Sequence, residues 1–402
     1  MPLNNVKIGE YITHLRKGRG LTQNEIAEKL QITYQAVSKW ERGETLPDVS
    51  LLPELARILE TTVDDILSPN VRERRKILED VQMGFSKTSY ASAAYGCLKA
   101  AGFWRDDMVK FMGMTGLAFR FVVREDACPS SPTVYNWVTE HTMMMDRIGV
   151  HSDCYLASTN MHPNTQTKIQ AAAAARIRES IDREAAVVAW APSPMYEFGI
   201  INGYDDESKS YFVRDCTGRQ DIALPYGLLG ISEIPELFYQ IFHEENPVDE
   251  EITGFESLRY ALGEWNKEHY PYARYGSGRK AYLNLISAVE KDDLNVFGLA
   301  YNLGVYTYSK RCAAEHLKYM TGYSAFRGLD RVAELYGQVA AHFEKMAGLL
   351  PYGSGREAFS KNKTELLANI KDCLTLEEEA MRLIGETVAE GTGQVISPSN
   401  PG

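Results

Sequence analysis

The stretch that most restricts what this chain can fold into is "LTQNEIAEKLQITYQAVSKWERGETLPDVSLLPELARILETTVDDIL", Leu21 to Leu67. Thr22 followed by Glu25 forms a capping box, so a helix starts at about Gln23. Ile26, Ala27 and Leu30 line one face of it at helical spacing. "QIT" makes a short turn, and Thr33 caps a second helix from Tyr34 to Arg42. That helix turns Val37 and Trp40 inward and shows Tyr34, Gln35, Ser38 and Lys39 on its other face. Gly43 ends it in a left-handed cap. A further amphipathic helix is expected over Ser50 to Glu60, and a last short one from near Thr62 to Leu67.

Two short helices around a tight turn, the second with a polar outer face, match a helix-turn-helix. Residues 6–67 resemble the phage-repressor-like (Cro/C1-type, XRE) family, through "LTQNEIA", the turn, "VSKWERG" and "LPELARIL". The resemblance implies a five-helix fold whose third helix enters the major groove of DNA. On that reading Gln23 sits near a phosphate, and Tyr34, Gln35, Ser38 and Lys39 face base edges or nearby phosphates. Gln35 suits adenine, Lys39 suits guanine or a phosphate, and Arg42 grips the backbone. Arg16 and Glu41 stand where this family forms an internal ion pair. One short helix contacts few bases, so the expected partner is a double-stranded DNA operator bound by a homodimer.

Charge limits how such a head works. The chain has 402 residues and a net charge of −11, which argues against a protein that coats nucleic acid broadly. Residues 1–70 hold eight Lys/Arg against ten Asp/Glu, so the positive charge must be concentrated on one face. No apolar run approaches the length of a membrane span, and "MPLNNVKIGEYITHLRKGRG" has no secretory apolar core. The expectation is a cytoplasmic protein with no membrane partner. Its six scattered cysteines, without a CxxC spacing, are read as free thiols.

Beyond the head the pattern changes twice. The fold class expected is multidomain: an all-α head (1–68), a linker leading into a helix (69–80), an α+β middle domain (81–247), an all-α part (248–390) and a disordered tail (391–402). "AAVVAWA", "FGIING" and "SYFVRD" read as strands, and "TQTKIQAAAAARIRESIDRE" as a helix.

The middle stretch resembles a branch of the papain-like cysteine peptidase superfamily, the butirosin-biosynthesis acyltransferase-like family with its helical extension. "TSYASAAYGCLKAAG" is similar to the helix that begins at the nucleophile. "GMTGLAFRF" is similar to the glycine-aromatic segment. "EFGIINGYDDESKSYFVRD" is similar to the histidine strand, turn and aspartate strand, and "YGSGRKAYLNLISAVEKD" to the extension. The nucleophile position falls near Ser89 and the histidine position on Glu197, while Asp215 keeps the orienting position. A serine needs a base with a pKa near neutrality, and a carboxyl at about 4 is a weak one. The resemblance therefore implies a fold without its catalysis, serving as a sensor for a small-molecule effector. Ser89, Trp190, Glu197 and Asp215 are the candidate ligand residues. Two carboxylates beside aromatic rings favour a cation. No cofactor and no metal are implied.

Three alternatives stay open at this point. An active cysteine acyltransferase or hydrolase would use Cys97 or Cys154 with His141 or His151 as base. A metal sensor would draw on His141, Asp146, His151 and Cys154. A peptide sensor would use the helical part, where "YGSGRKA" at Tyr275 and "YGSGREA" at Tyr352 form a repeat, spaced far beyond the period of about 34 residues of helical repeats. Each "YGSGR" is read as a loop with a serine cap, Ser277 or Ser354, or as an anion-binding turn with Arg279 or Arg356.

Overall fold

Helices of five to fourteen residues are marginal alone, so a head built from them must share one core. The described head folds as α1 (Asn5–Gly18), α2 (Gln23–Leu30), α3 (Tyr34–Glu41), α4 (Leu52–Ile58) and α5 (Val63–Leu67). Ile8, Ile12, Ile26, Val37, Trp40, Leu55, Leu59 and Ile66 form that core. Gly9 lets α1 and α3 touch backbone to backbone: a Cβ there would lie 2.1 Å from the Trp40 carbonyl oxygen. The capping box at Thr22 and Glu25 is present with both bonds. The helix expected over 50–60 is shorter. Asp48 caps a 3-10 turn at Val49–Leu51, and α4 follows with Pro53 in its first turn, where the missing N–H costs nothing.

The computed structural model describes residues 4–67, 74–158, 163–219, 222–326 and 328–395. The chain divides into two compact units, residues 1–74 and 75–402. Among the described residues no helix is long and apolar enough to cross a membrane.

The second unit is organised by a seven-stranded antiparallel sheet. Its strands are β1 (Arg75–Ile77), β3 (Val150–Ser158), β4 (Val187–Trp190), β5 (Phe198–Asp205), β6 (Ser210–Arg214), β7 (Ile222–Pro225) and β8 (Glu236–Glu245). The order is β3-β8-β4-β5-β6-β7, with β1 on β5 beyond the end of β4. Every residue of β4, and all of β5 but its last, is buried. Strands covered on both faces read as continuous apolar runs, which is why "AAVVAWA" and "FGIING" stood out.

Helices clothe this sheet: α6 (Ser89–Ala100), α7 (Met108–Met114), α8 (Trp137–Arg147) and α9 (Pro163–Asp182). Five more follow: α10 (Glu250–Trp265), α11 (Arg279–Lys291), α12 (Val296–Met320), α13 (Leu329–Leu349) and α14 (Arg356–Val395). The stretches 81–247 and 248–390, read from sequence as separate domains, share one core that runs from Val188 and Ile200 to Tyr282 and Tyr336. A two-stranded ribbon ties them, β2 (Val122–Arg124) against β9 (Tyr275–Ser277). The shift from strand to helix marks a change of layer around one core.

Three local expectations are corrected. The described part of 69–80 holds a strand, β1, where a helix was expected, because Arg75–Ile77 pairs with Gly203–Asp205. The tail expected over 391–402 begins as helix, α14 reaching Val395, and 396–402 lie outside the described residues. The two "YGSGR" segments differ: the first forms β9, and the second is a turn with an exposed Tyr352. Ser277 donates to Glu264 instead of capping α11, whose cap is Gly278. Arg279 and Arg356 pair with Glu378 and Asp292 on the open surface.

Candidate DNA-reading face and ligand site

The outer face of α3 carries Tyr34, Gln35, Ser38 and Lys39, with Arg42 just past its end. These positions recur at helical spacing opposite the buried Val37 and Trp40. Tyr34 is half exposed, Gln35, Lys39 and Arg42 are exposed, and Ser38 is partly covered. Arg42 donates to Ser38 Oγ at 2.5 Å and to Glu44 Oε1 at 2.6 Å. Both partners sit on an open surface, where such pairs are weak, so the guanidinium can exchange them for a phosphate. Two of the expected contact residues thus hold each other in place on the free face.

Beneath this face lies the ion pair that the family resemblance implied. Arg16 Nε donates to Glu41 Oε1 at 2.5 Å and its NH2 to Oε2 at 2.9 Å, while NH1 binds the Leu21 carbonyl at 2.8 Å. Burial pushes the Glu41 carboxyl up. Hydrogen bonds from Arg16 and Gln23, with the Arg16 charge, outweigh burial and hold it below its usual range. Gln23, expected near a phosphate, also joins this pair: its Nε2 donates to Glu41 Oε2 at 2.7 Å. The amide completes the internal network around Glu41.

In the second unit, residues far apart in sequence meet. Ser89 is the first residue of α6, a helix buried along most of its length, and lies against the start of β5. Its hydroxyl donates to Glu197 Oε2 at 2.5 Å and accepts from the Phe198 amide at 3.1 Å. Tyr301, from α12, donates to Glu197 Oε1 at 2.8 Å. Sequence reasoning missed Tyr301, because 104 residues separate it from Glu197 and only the packing of α12 brings them together. Both carboxylate oxygens are therefore occupied. The carboxylate is an acceptor for two hydroxyls.

Asp215 does not complete this set. Its Oδ1 accepts from the Thr217 amide at 2.9 Å and hydroxyl at 2.5 Å, and its Oδ2 from Arg219 at 2.9 Å. Burial raises its carboxyl, and those bonds, with one from Ser193, outweigh it and lower the carboxyl below its usual range. Asp215 is tied into its own turn.

No described hydrogen bond joins a thiol to an imidazole. Cys97 is fully buried within α6, and burial pushes its thiol far up. Burial pushes the Cys154 thiol up to about 12. His141 is buried and stacked on Tyr90, with ring centroids 3.4 Å apart and Nε2 bonded to Tyr135 Oη at 2.9 Å. His151 is exposed beside His243. The exposed Cys216, passed over in the sequence, lies in the fields of Glu197 and Asp215; burial and then those charges raise its thiol. A raised thiol is a poor nucleophile at neutral pH. Among the described residues, no three or more His, Cys, Asp and Glu side chains are placed to hold a metal.

Trp190, the fourth candidate, is buried at the end of β4 against Trp137, with ring centroids 4.7 Å apart. It lines a cavity of about 340 Å³ shared with Tyr135, Trp137, Leu156, Glu236 and Tyr272.

Comparison with known proteins finds similarity in the head. Residues 12–66 match the helix-turn-helix family model. The HTH-type transcriptional activator BcrR of Enterococcus faecalis is 35% identical over 63 residues, which is 16% of this chain and 31% of that protein. The HTH-type transcriptional regulator DicA of Escherichia coli (strain K12) is 37% identical over 67 residues, 17% of this chain and 50% of that protein. The chain thus spans 31% to 50% of the length of these curated relatives. The N-terminal unit is a helix-turn-helix domain of the kind found in transcriptional regulators.

Proposed function

We propose that this chain is a sequence-specific DNA-binding transcriptional regulator, acting as a homodimer, whose residues 75–402 form a catalytically silent sensor for a small molecule. The observation that carries the DNA-binding part is the exposed polar face of α3 inside the stretch that matches helix-turn-helix domains. Tyr34, Gln35, Ser38, Lys39 and Arg42 are the residues proposed to reach DNA. An exposed Gln35 suits a bidentate amide contact to adenine, and an exposed Lys39 suits guanine or a phosphate. A head this small needs a second copy, because two half-sites together supply enough base contacts.

The silent-sensor reading is supported by the pairing of Ser89 with Glu197. A helix that begins at Ser89, packed on a strand that begins after Glu197, brings together the two side chains that the resemblance to peptidase-like folds assigns to the places of nucleophile and base. A hydroxyl and a doubly occupied carboxylate fill those places here. Effector binding then biases two arrangements of the dimer, and the head spacing decides operator affinity. A gel shift on DNA upstream of the chain's own gene tests the proposal. Retardation by the native protein, lost in Gln35→Ala and Lys39→Ala, is expected. Equal retardation of every sequence by all three proteins contradicts it.

A further inference from the structure

The polar groups around Ser89 satisfy one another, whereas the cavity at Trp190 holds a charge without a partner. This cavity lies between the start of α8 and the ends of β3, β4 and β8. Its volume of about 340 Å³ suits a small organic molecule. Glu236, at the first position of β8, is the one charged side chain in its lining. Among the described residues no ion pair and no side-chain hydrogen bond reaches the Glu236 carboxylate, and burial raises its pKa. Four aromatic rings line the same cavity: Trp137, Tyr272 and Trp190, and Tyr135, whose ring already carries the Arg120 guanidinium at 3.6 Å. Trp137 is fixed by its own Nε1–H, which donates to the Thr133 carbonyl at 2.7 Å.

We infer that this cavity binds an organic cation, with the ammonium against Glu236 and the apolar body against the Trp137 and Tyr272 rings. The sign of the ligand follows from the lining. An anion meets the carboxylate and the negative faces of the rings. A neutral molecule leaves a partly desolvated carboxylate uncompensated. A cation satisfies both the carboxylate and the ring quadrupoles. This names the ligand class of the sensing unit, and it rests on the sensing reading only for its consequence on DNA.

The test uses the full chain and three probes of similar shape: benzyltrimethylammonium, benzyl alcohol and benzoate. Calorimetry and tryptophan emission report binding beside Trp137 and Trp190. The expected result is saturable binding of the cation, with one site per chain. Glu236→Gln is expected to weaken it roughly tenfold or more, and the two other probes to bind weaker by a similar factor. Leu156→Lys tests the same point without relying on a buried position, since Leu156 is 41% exposed on β3. A lysine there supplies Glu236 with its own cation and is expected to abolish probe binding. Benzoate or benzyl alcohol binding as tightly as the cation overturns the inference. So does an unchanged affinity in Glu236→Gln, or no cation binding at millimolar concentration by a folded protein. Saturable cation binding with unchanged DNA affinity supports the cavity and overturns the sensing reading. DNA binding that answers another metabolite, with no cation binding, overturns the cavity alone.

Discussion

The hydroxyl of Ser89 donates to Oε2 of Glu197 across 2.5 Å, in the first turn of a helix buried against the sheet. Tyr301 closes the other oxygen at 2.8 Å. A carboxylate that binds two hydroxyls in this way is a structural hub, joining α6, β5 and α12.

Glu197→Ala removes the acceptor for both hydroxyls at once. A buried hydroxyl left unpaired costs about 1–3 kcal/mol, so the loss of stability is expected to be about 2–4 kcal/mol. Glu197→Gln keeps one acceptor oxygen and should cost less. Urea unfolding followed by near-ultraviolet circular dichroism measures both. A loss below the scatter of repeat measurements in Glu197→Ala contradicts the hub.

Gln23 and Lys39 separate a structural from a DNA-facing role. Lys39 is exposed on the reading face, so Lys39→Ala should lower DNA affinity and, if it meets a phosphate, reduce the salt slope by about 1. Gln23 is bonded to Glu41, so Gln23→Ala should lower the melting temperature of the head and leave the salt slope unchanged. Truncating Arg16 is the stronger cut, expected at about 3–5 kcal/mol, because Glu41 is then a largely covered charge without its cation. Fluorescence anisotropy across a salt series, with thermal melts, distinguishes the three.

The contrast between these residues follows how far each signal reaches along the chain. Caps at Thr22 and Thr33 and the spacing of Ile26, Val37 and Trp40 act within a turn or two, so the head was legible. The Arg16–Glu41 pair came from resemblance. The third member, Gln23, did not, because an amide's choice between a phosphate and a carboxylate depends on packing. The pairing of Ser89 with Glu197 also came from resemblance. Tyr301, Glu236 and Tyr272 carry no local mark of their neighbours. β1 was read as helix because its charged, strand-poor sequence is held in place by β5, more than a hundred residues on.

His316 should make the second unit sensitive to acid. Its ring is fully buried against Gly113, where a Cβ would lie 2.0 Å from Cγ, and neither ring nitrogen has a hydrogen-bond partner. Burial, then the charge of Lys110, pushes its pKa down to about 4. The unfolded chain takes up this proton near pH 6.5 and the folded chain does not. Stability is therefore full above about pH 6.5 and falls towards pH 4, by an amount on the order of 3 kcal/mol from this group. His141, pushed down by burial and then by the charge of Arg120, adds in the same direction. Melting temperatures between pH 7 and pH 4 should fall less steeply in His316→Leu. Parallel curves for the two proteins contradict the assignment.

Selection of genomic fragments by the purified protein at low ionic strength, followed by footprinting of those retained, tests the central claim most directly. The expected result is a small set of fragments, each protected at two half-sites about one helical turn (about 34–36 Å) apart or a multiple of that, with protection lost in Gln35→Ala. Uniform retention of all fragments, or retention of none, contradicts it.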